Sequence, residues 1–330
     1  MSGDTHYDYK CEDHSILLRV LHRPVFMPVV RALPLSLTPN QVTVFGNVLI
    51  WLAVAVTLAT RPAGPAVLVV LAAAYALYVL TDCVDGLFAR HTQRTSRLGE
   101  LLDHGLDSLS LPLVVLSFTL AMNQPTWLVL AGTAAVSFIN FVTLTHGFRV
   151  GYVHLGTVGI IEGILGGAAA CTVAAVIGVE PLARPLFAGV SVAGLLVLGL
   201  VGGSLTALVS MRSVARRPSD FALITLMFSF IIAWYVFGDL SPATAAGLFT
   251  AVSSYQAVRI TCARLCREPL VLWDGTFVAL ALLATGVSLA AGLDKNLQLA
   301  AAVLVMTYAG VRSGIIFFRT VKSLQAPRAS

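Results

Sequence analysis

The sequence predicts an all-α polytopic membrane protein of about ten transmembrane helices preceded by an interfacial amphipathic helix, and three observations predict it. Hydrophobic side chains make up 57% of the 330 residues and charged ones only 11%, against about a quarter charged in soluble domains. The apolar residues gather in windows of about 20, the length that crosses ~30 Å of hydrocarbon. Lys and Arg are confined almost wholly to alternate connections between those windows, the asymmetry that orients membrane proteins.

The elements follow in chain order. Met1 to Glu12 is polar, with no apolar stretch beside the first methionine, so no cleavable signal peptide is expected. His14 to Leu33 mixes Ile16, Leu17, Leu18, Val20, Leu21, Phe26 and Val29 with Arg19, His22, Arg23 and Arg31. That pattern reads as a helix lying along the cytoplasmic leaflet, broken near Pro24 and Pro28. Ten spans are then expected, at Val42 to Thr60, Pro65 to Thr81, Leu98 to Met122, Trp127 to His146, Leu155 to Gly178, Pro185 to Met211, Phe221 to Phe237, Pro242 to Cys262, Leu270 to Gly292 and Leu297 to Phe318. With this layout only Arg61, Arg184 and Lys295, of 21 Lys and Arg, fall on one side. The crowded side is therefore cytoplasmic, and so are both termini. The expected organisation is a cytoplasmic segment over 1–41, one membrane domain over 42–318 and a cytoplasmic tail over 319–330, since no polar stretch is long enough to bury a second core.

A net charge of +5 would suggest nucleic acid in a soluble protein, but here the basic residues sit in short loops between apolar spans and set orientation. Nucleic acid is not an expected partner. Five cysteines, Cys11, Cys83, Cys171, Cys262 and Cys266, are odd in number and lack paired ligand spacing, so neither a disulfide framework nor zinc is expected. Cys262 and Cys266 read as inert membrane-facing thiols.

The chemistry lies between Thr81 and Leu109. Asp82 and Asp85 are three apart at the end of the second span; Asp103 and Asp107 are four apart in the third. Each pair shares a helical face, and antiparallel neighbours joined by a short loop place both pairs near one membrane surface. Carboxylates there cost ~2.5 to 3.5 kcal/mol apiece, and two within 4 Å repel by roughly 4 kcal/mol at an effective dielectric near 20. Four such groups demand cations. All-oxygen ligands without His or Cys partners at matching spacing favour Mg2+ or Mn2+, as one ion or two. The alternative is a solvated ion network with Arg90, Arg94 and Arg97, against which Gly86, Ala89 and Gly99 interleave with the charges as though backbone must approach a ligand. Arg90 has the planar fork that clamps phosphate. Metal, arginine and glycine together suit a pyrophosphate and phosphoryl transfer to a hydroxyl.

These residues fit the pattern D-x2-D-G-x2-A-R-x8-G-x3-D-x3-D, filled by Asp82, Asp85, Gly86, Ala89, Arg90, Gly99, Asp103 and Asp107. In this the sequence resembles the CDP-alcohol phosphotransferases. The segments Y-D-Y-K-C-E-D-H-S near the N-terminus, T-P-N-Q-V-T from Thr38, L-G-E-L-L-D-H-G-L-D-S from Leu98 and G-T-V-G-I-I-E-G from Gly156 resemble its choline/ethanolamine phosphotransferase branch. The resemblance implies a ten-span homodimer that transfers phosphocholine or phosphoethanolamine from a CDP-alcohol to diacylglycerol, releasing CMP. It implies that Asp82, Asp85, Asp103 and Asp107 bind two Mg2+ and that Asn40, Gly86, Arg90, Gln93 and Glu100 contact the CDP portion. His104 is implied as the base, with Asp107 as its competitor. Glu162 is left between partnering a cationic headgroup and a structural hydrogen-bonding role. Leu87-Phe88, where Lys-Gln is common, and Leu106, where Cys is usual, depart from the branch and leave the headgroup open. Transfer from CDP-diacylglycerol to a small polyol is the alternative within the family. A transporter is the alternative outside it, but that reading needs a carboxylate path through the membrane, and beyond Glu162 the spans offer few ionisable partners.

Overall fold

An apolar run in hydrocarbon satisfies its backbone by coiling, because no water is present to bond free N–H and C=O groups. In a computed structural model, which describes residues 11–13, 15–151, 153–155, 159–210, 218–238, 240–290 and 295–325, each predicted run accordingly carries a helix. The elements are α1 (Ile16–Leu21), a π-helical turn (His22–Phe26), α2 (Met27–Ala32), α3 (Pro39–Ala59), α4 (Pro65–His91), α5 (Arg97–Ala121), α6 (Thr126–Val150), α7 (Ile160–Ile177), α8 (Glu180–Ala183), α9 (Val192–Ser210), α10 (Pro218–Gly238), α11 (Pro242–Cys266), α12 (Gly275–Leu289) and α13 (Lys295–Gln325). Among the described residues seven of these are long and apolar enough to cross a membrane: α3, α4, α5, α6, α7, α10 over Phe221–Gly238, and α13 over Lys295–Leu324. The chain is an all-α, multi-pass integral membrane protein.

Several boundaries differ from expectation: the ninth helix starts at Gly275, not Leu270, the tenth runs on to Gln325, and three others change the layout near the site or the fold's connections. The second helix does not stop at Thr81 but runs to His91, so Asp82, Asp85 and Arg90 stand on regular helix. The sixth begins at Val192, not Pro185, because Pro185–Phe187 (β3) and Val190–Ser191 (β4) form an antiparallel hairpin. Its tip places Ala188 and Gly189 at φ +49° and +77°, a backbone that no helix accepts. The fifth starts at Ile160, preceded by Val153–Leu155 (β2), which pairs in parallel with Cys11–Asp13 (β1). Of the charges used for orientation, Lys10, Arg212, Arg216, Arg217 and Arg328 lie outside the described residues, as do Tyr7 to Lys10, His14 and Gly156 to Val158 of the branch segments.

Local chemistry sets the ends of the helices that matter most. Thr-Pro-Asn-Gln is a capping box: Thr38 accepts from Gln41 N, Gln41 Oε1 accepts from Thr38 N at 2.8 Å, and Pro39 occupies the first turn, where its missing N–H is harmless. Ser96 caps α5 by accepting from Gly99 N at 3.0 Å. Within α5, Pro112 cannot donate to the carbonyl of Ser108. Ser254 of α11 does so instead, at 2.8 Å, which pins α11 to α5 one residue from Asp107.

Apolar packing forms two large clusters. One joins α3, α4, α5, α7 and α9 through Ile50, Tyr75, Leu111, Phe118, Ile164 and Val197; the other joins α6 and α10–α13 through Phe141, Ile224, Trp234, Phe249, Tyr255 and Phe277. Phe26 and Val30 of the N-terminal segment pack on Val84 and Phe88 of α4. Cys262, expected to face lipid, is instead buried with Leu101, Val258 and Leu265; its small apolar body fills the seam between α5 and α11. Outward-facing Leu52, Val69, Val176 and Leu304 are solvated by acyl chains.

Helices α3 and α4 meet at Gly46, where any Cβ would overlap the Thr81 hydroxyl. That hydroxyl is tied to the carbonyls of Leu77 and Tyr78 at 2.9 and 3.0 Å and has nowhere to turn. Gly46→Ala is therefore expected to destabilise the protein by about 1–3 kcal/mol, read as a lowered thermal midpoint in detergent. An unchanged midpoint would contradict this approach of the two helices.

Candidate metal and nucleotide site

The last turns of α4 and the first turns of α5 lie side by side, and the i, i+3 and i, i+4 spacings turn the acids toward one another. Asp82, Asp103 and Asp107 are part-buried, and each offers an oxygen within 4.8 Å of the others. Asp107 is in close contact with both Asp82 and Asp103. Asp85 stands beside this trio, near enough to Asp107 for their charges to interact. It is buried and accepts a hydrogen bond from Thr43 of α3.

These residues fit a hard divalent cation. Oxygens bound to one Mg2+ at ~2.0–2.1 Å lie at most about 4.2 Å apart, so oxygens that all lie within 4.8 Å of one another are close to the spacing one ion imposes. An ion among them also turns mutual repulsion into attraction. Asp82, Asp103 and Asp107 could hold one ion directly, with Asp85 at the edge of the same cluster.

The remaining predicted site residues lie on α3, α4, α5 and the turn between α4 and α5. Arg90 is exposed at the end of α4, its guanidinium folded over Gly86, where an added Cβ would stand 3.5 Å from Nη1. Gln93 is exposed on the following turn at φ +56°. Asn40, on the first turn of α3, approaches Gly99: a Cβ there would stand 3.2 Å from Asn40 Oδ1. Glu100 is buried and ion-paired with Arg264 of α11. His104 is part-buried on α5, three residues before Asp107. Arg94 does not join the acids; it donates to the carbonyls of Leu35 and Leu37 at 2.9 and 3.1 Å, holding the α4–α5 turn against the start of α3. Glu162 accepts from Ser15 Oγ at 2.7 Å, Leu17 N at 3.1 Å and Gly159 N at 2.9 Å, a structural clamp between α1 and α7.

Sequence reasoning passed over Thr43, Asn47, Tyr78 and Arg264. A signal for the first three was present: Thr43 and Asn47 are four apart within an apolar run, and Tyr78 is four before Asp82, which puts each on the face that looks at the acids.

The sequence pattern of the family described as CDP-alcohol phosphatidyltransferase matches residues 36–236, more than half of the chain. The chain belongs to this family. Among curated proteins, this CDP-alcohol phosphatidyltransferase family member is similar to cholinephosphotransferase 1 of Gallus gallus, 36% identical over 120 residues that make up 34% of this chain and 36% of the relative. It is similar to choline/ethanolaminephosphotransferase 1 of Arabidopsis thaliana, 32% identical over 117 residues, 34% of this chain and 30% of the relative. It is 29% identical to cholinephosphotransferase 1 of Xenopus laevis over 185 residues, 53% and 46% of the two chains. The chain thus spans less than half the length of these relatives.

Arg264 lies beyond the matched region, yet its charge offsets that of Glu100 inside it. Arg264→Ala removes the cation paired with a buried carboxylate and is expected to cost about 3 kcal/mol of stability, with partial rescue by Arg264→Lys, measured by thermal unfolding in detergent.

Proposed function

We propose that the chain transfers a phospho-alcohol, phosphoethanolamine or phosphocholine, from its CDP carrier to diacylglycerol or a similar lipid alcohol, releasing CMP in phospholipid synthesis. The observation that carries this reading is the gathering of Asp82, Asp103 and Asp107 beside exposed Arg90 in a member of this family. In the reaction the acceptor hydroxyl oxygen bonds to the phosphorus that bears the alcohol. The bond from that phosphorus to the CMP phosphate oxygen breaks, and the acceptor proton passes to a base on the protein. Mg2+ or Mn2+, as two ions held by Asp82, Asp85, Asp103 and Asp107, supplies charge neutralisation of the diphosphate and of the leaving CMP.

The protein's own groups divide the remaining work. Arg90 clamps phosphate oxygens bidentately; Asn40, Gly86, Gln93 and Glu100 line the CDP portion, and the missing side chain of Gly86 leaves room for the Arg90 guanidinium. His104 takes the acceptor proton, with Asp107 as the competing base. The lipid acceptor is inferred from the family; a small apolar cavity lined by Leu111, Phe118, Ile164 and Leu196 lies one turn beyond Asp107. The choline and ethanolamine headgroups come from the names of the relatives.

The site is read as cytoplasmic, in a homodimer whose ten helices α3–α7 and α9–α13 all span the membrane. The membrane domain runs over 42–318, flanked by cytoplasmic segments 1–41 and 319–330. The N-terminal segment lies in the interface: Ile16 and Val20 are exposed beside Arg19 and Arg23, the mixture that seats a helix among lipid headgroups.

Purified protein given CDP-ethanolamine or CDP-choline, diacylglycerol and Mg2+ is expected to release CMP, and a chelator to stop it. Asp103→Asn abolishes turnover, while His104→Ala lowers kcat by about 10²–10⁴-fold and spares nucleotide binding. Full activity of His104→Ala moves the base to Asp107. CMP release only from CDP-diacylglycerol with a small polyol reverses the assignment of donor and acceptor; no release across the whole panel contradicts the reading.

A further inference from the structure

Asp107 is held by residues from two other helices, and the direction of each hydrogen bond can be derived. Trp51 of α3 donates from Nε1 to Ser110 Oγ at 2.9 Å, and an indole nitrogen can only donate. Ser110 therefore spends its one proton elsewhere, on Asn47 Oδ1 at 2.5 Å. The Thr43 carbonyl settles which end of the Asn47 amide is nitrogen, since only the NH2 can donate to it, at 3.0 Å; Oδ1 is then left to Ser110, and the NH2 has Asp107 within reach. From α4, Tyr78 donates its hydroxyl to Asp107 Oδ1 at 2.7 Å. Asn47 and Tyr78 are both 2% exposed, so no solvent competes for these bonds. The same helix α3 supplies Thr43 to Asp85, and Thr43, Asn47 and Trp51 fall on one face at i, i+4 and i+8.

We propose that Tyr78 and Asn47 are positioning residues for Asp107, fixing its carboxylate toward the space it shares with Asp82 and Asp103, with the Thr43 carbonyl setting the polarity of the Asn47 amide and Trp51 and Ser110 holding its oxygen. The proposal rests on the reading of these aspartates as divalent-cation ligands. A ligand carboxylate free to rotate in hydrocarbon would turn away from its like-charged neighbours before the ion arrives. Two donors oppose that rotation. Removing such supporting partners elsewhere lowers metal affinity or activity by ~10–100-fold.

The test is Mn2+ binding to the full-length protein in detergent, followed by electron paramagnetic resonance, together with steady-state CMP release. Tyr78→Phe keeps the ring and its packing. It is expected to weaken Mn2+ binding or lower kcat by ~10–100-fold, with KM for the CDP-alcohol unchanged at saturating Mn2+. Trp51→Phe acts in the same direction and less strongly. Tyr255→Phe is the control: it removes a tyrosine–aspartate bond of the same kind, to Asp274 at 2.5 Å, in a different helix pair, and is expected to leave Mn2+ affinity at the wild-type value. Wild-type Mn2+ affinity and kcat in Tyr78→Phe would overturn the proposal. So would an equal loss in Tyr255→Phe, which would mark a general loosening. Wild-type protein that binds no Mn2+ and releases CMP without any divalent ion would instead remove the metal reading on which the proposal stands.

Discussion

Carboxylates from two adjacent membrane helices converge on one point, and their mutual repulsion is the constraint to which the surrounding structure answers. Two such charges 4 Å apart at an effective dielectric near 20 oppose each other by about 4 kcal/mol, and each also bears the expense of leaving bulk water. Nothing apolar offsets this. A divalent cation would, and hydrogen-bond donors stand around the cluster that could hold it. The same demand underlies the proposed chemistry, because a site able to hold cations against negative oxygens is equally suited to a diphosphate.

The support comes from helices that carry no acid of the motif. Helix α3 contributes Thr43 and Asn47 from a single face, and Gly46 allows its backbone to lie close to α4. Pro112 leaves the Ser108 carbonyl for Ser254 to fill, and Glu100 draws Arg264 to the same helix. Through these two contacts α11, which lies outside the family-matched region, is joined to the face of α5 next to the acids. Backbone exceptions thus serve as connections between helices in a solvent that offers no hydrogen bonds of its own.

Much of this was legible in the sequence. The apolar windows marked where helices form, because hydrocarbon admits few other structures, and the spacing of Asp82, Asp85, Asp103 and Asp107 announced facing pairs. Other features were not legible, for identifiable reasons. The hairpin at Pro185–Ser191 is apolar and runs straight into the helix that follows, and the turn at Ala188 and Gly189, with its positive φ, carries no sequence signal strong enough to separate them. The placement of Cys262 against Leu101 depends on which face of α11 meets α5, and a helix whose polar and apolar residues are spread around it leaves that face undetermined. Arg264, the partner of Glu100, and Ser15 and Leu17, partners of Glu162, are remote in sequence, and no local pattern names them. Thr43, Asn47 and Tyr78 sat at helical spacing in plain view but look like the scattered polar residues that most membrane helices contain.

The central claim is that Asp82, Asp103 and Asp107 converge on a divalent cation, and it is tested most directly by locating Mn2+ through its anomalous X-ray scattering in crystals of the protein grown with CDP. The account predicts an anomalous peak between α4 and α5, within about 2.3 Å of oxygens from these three side chains. A peak confined to another part of the molecule, or no peak with the carboxylates turned into separate surroundings, would contradict it.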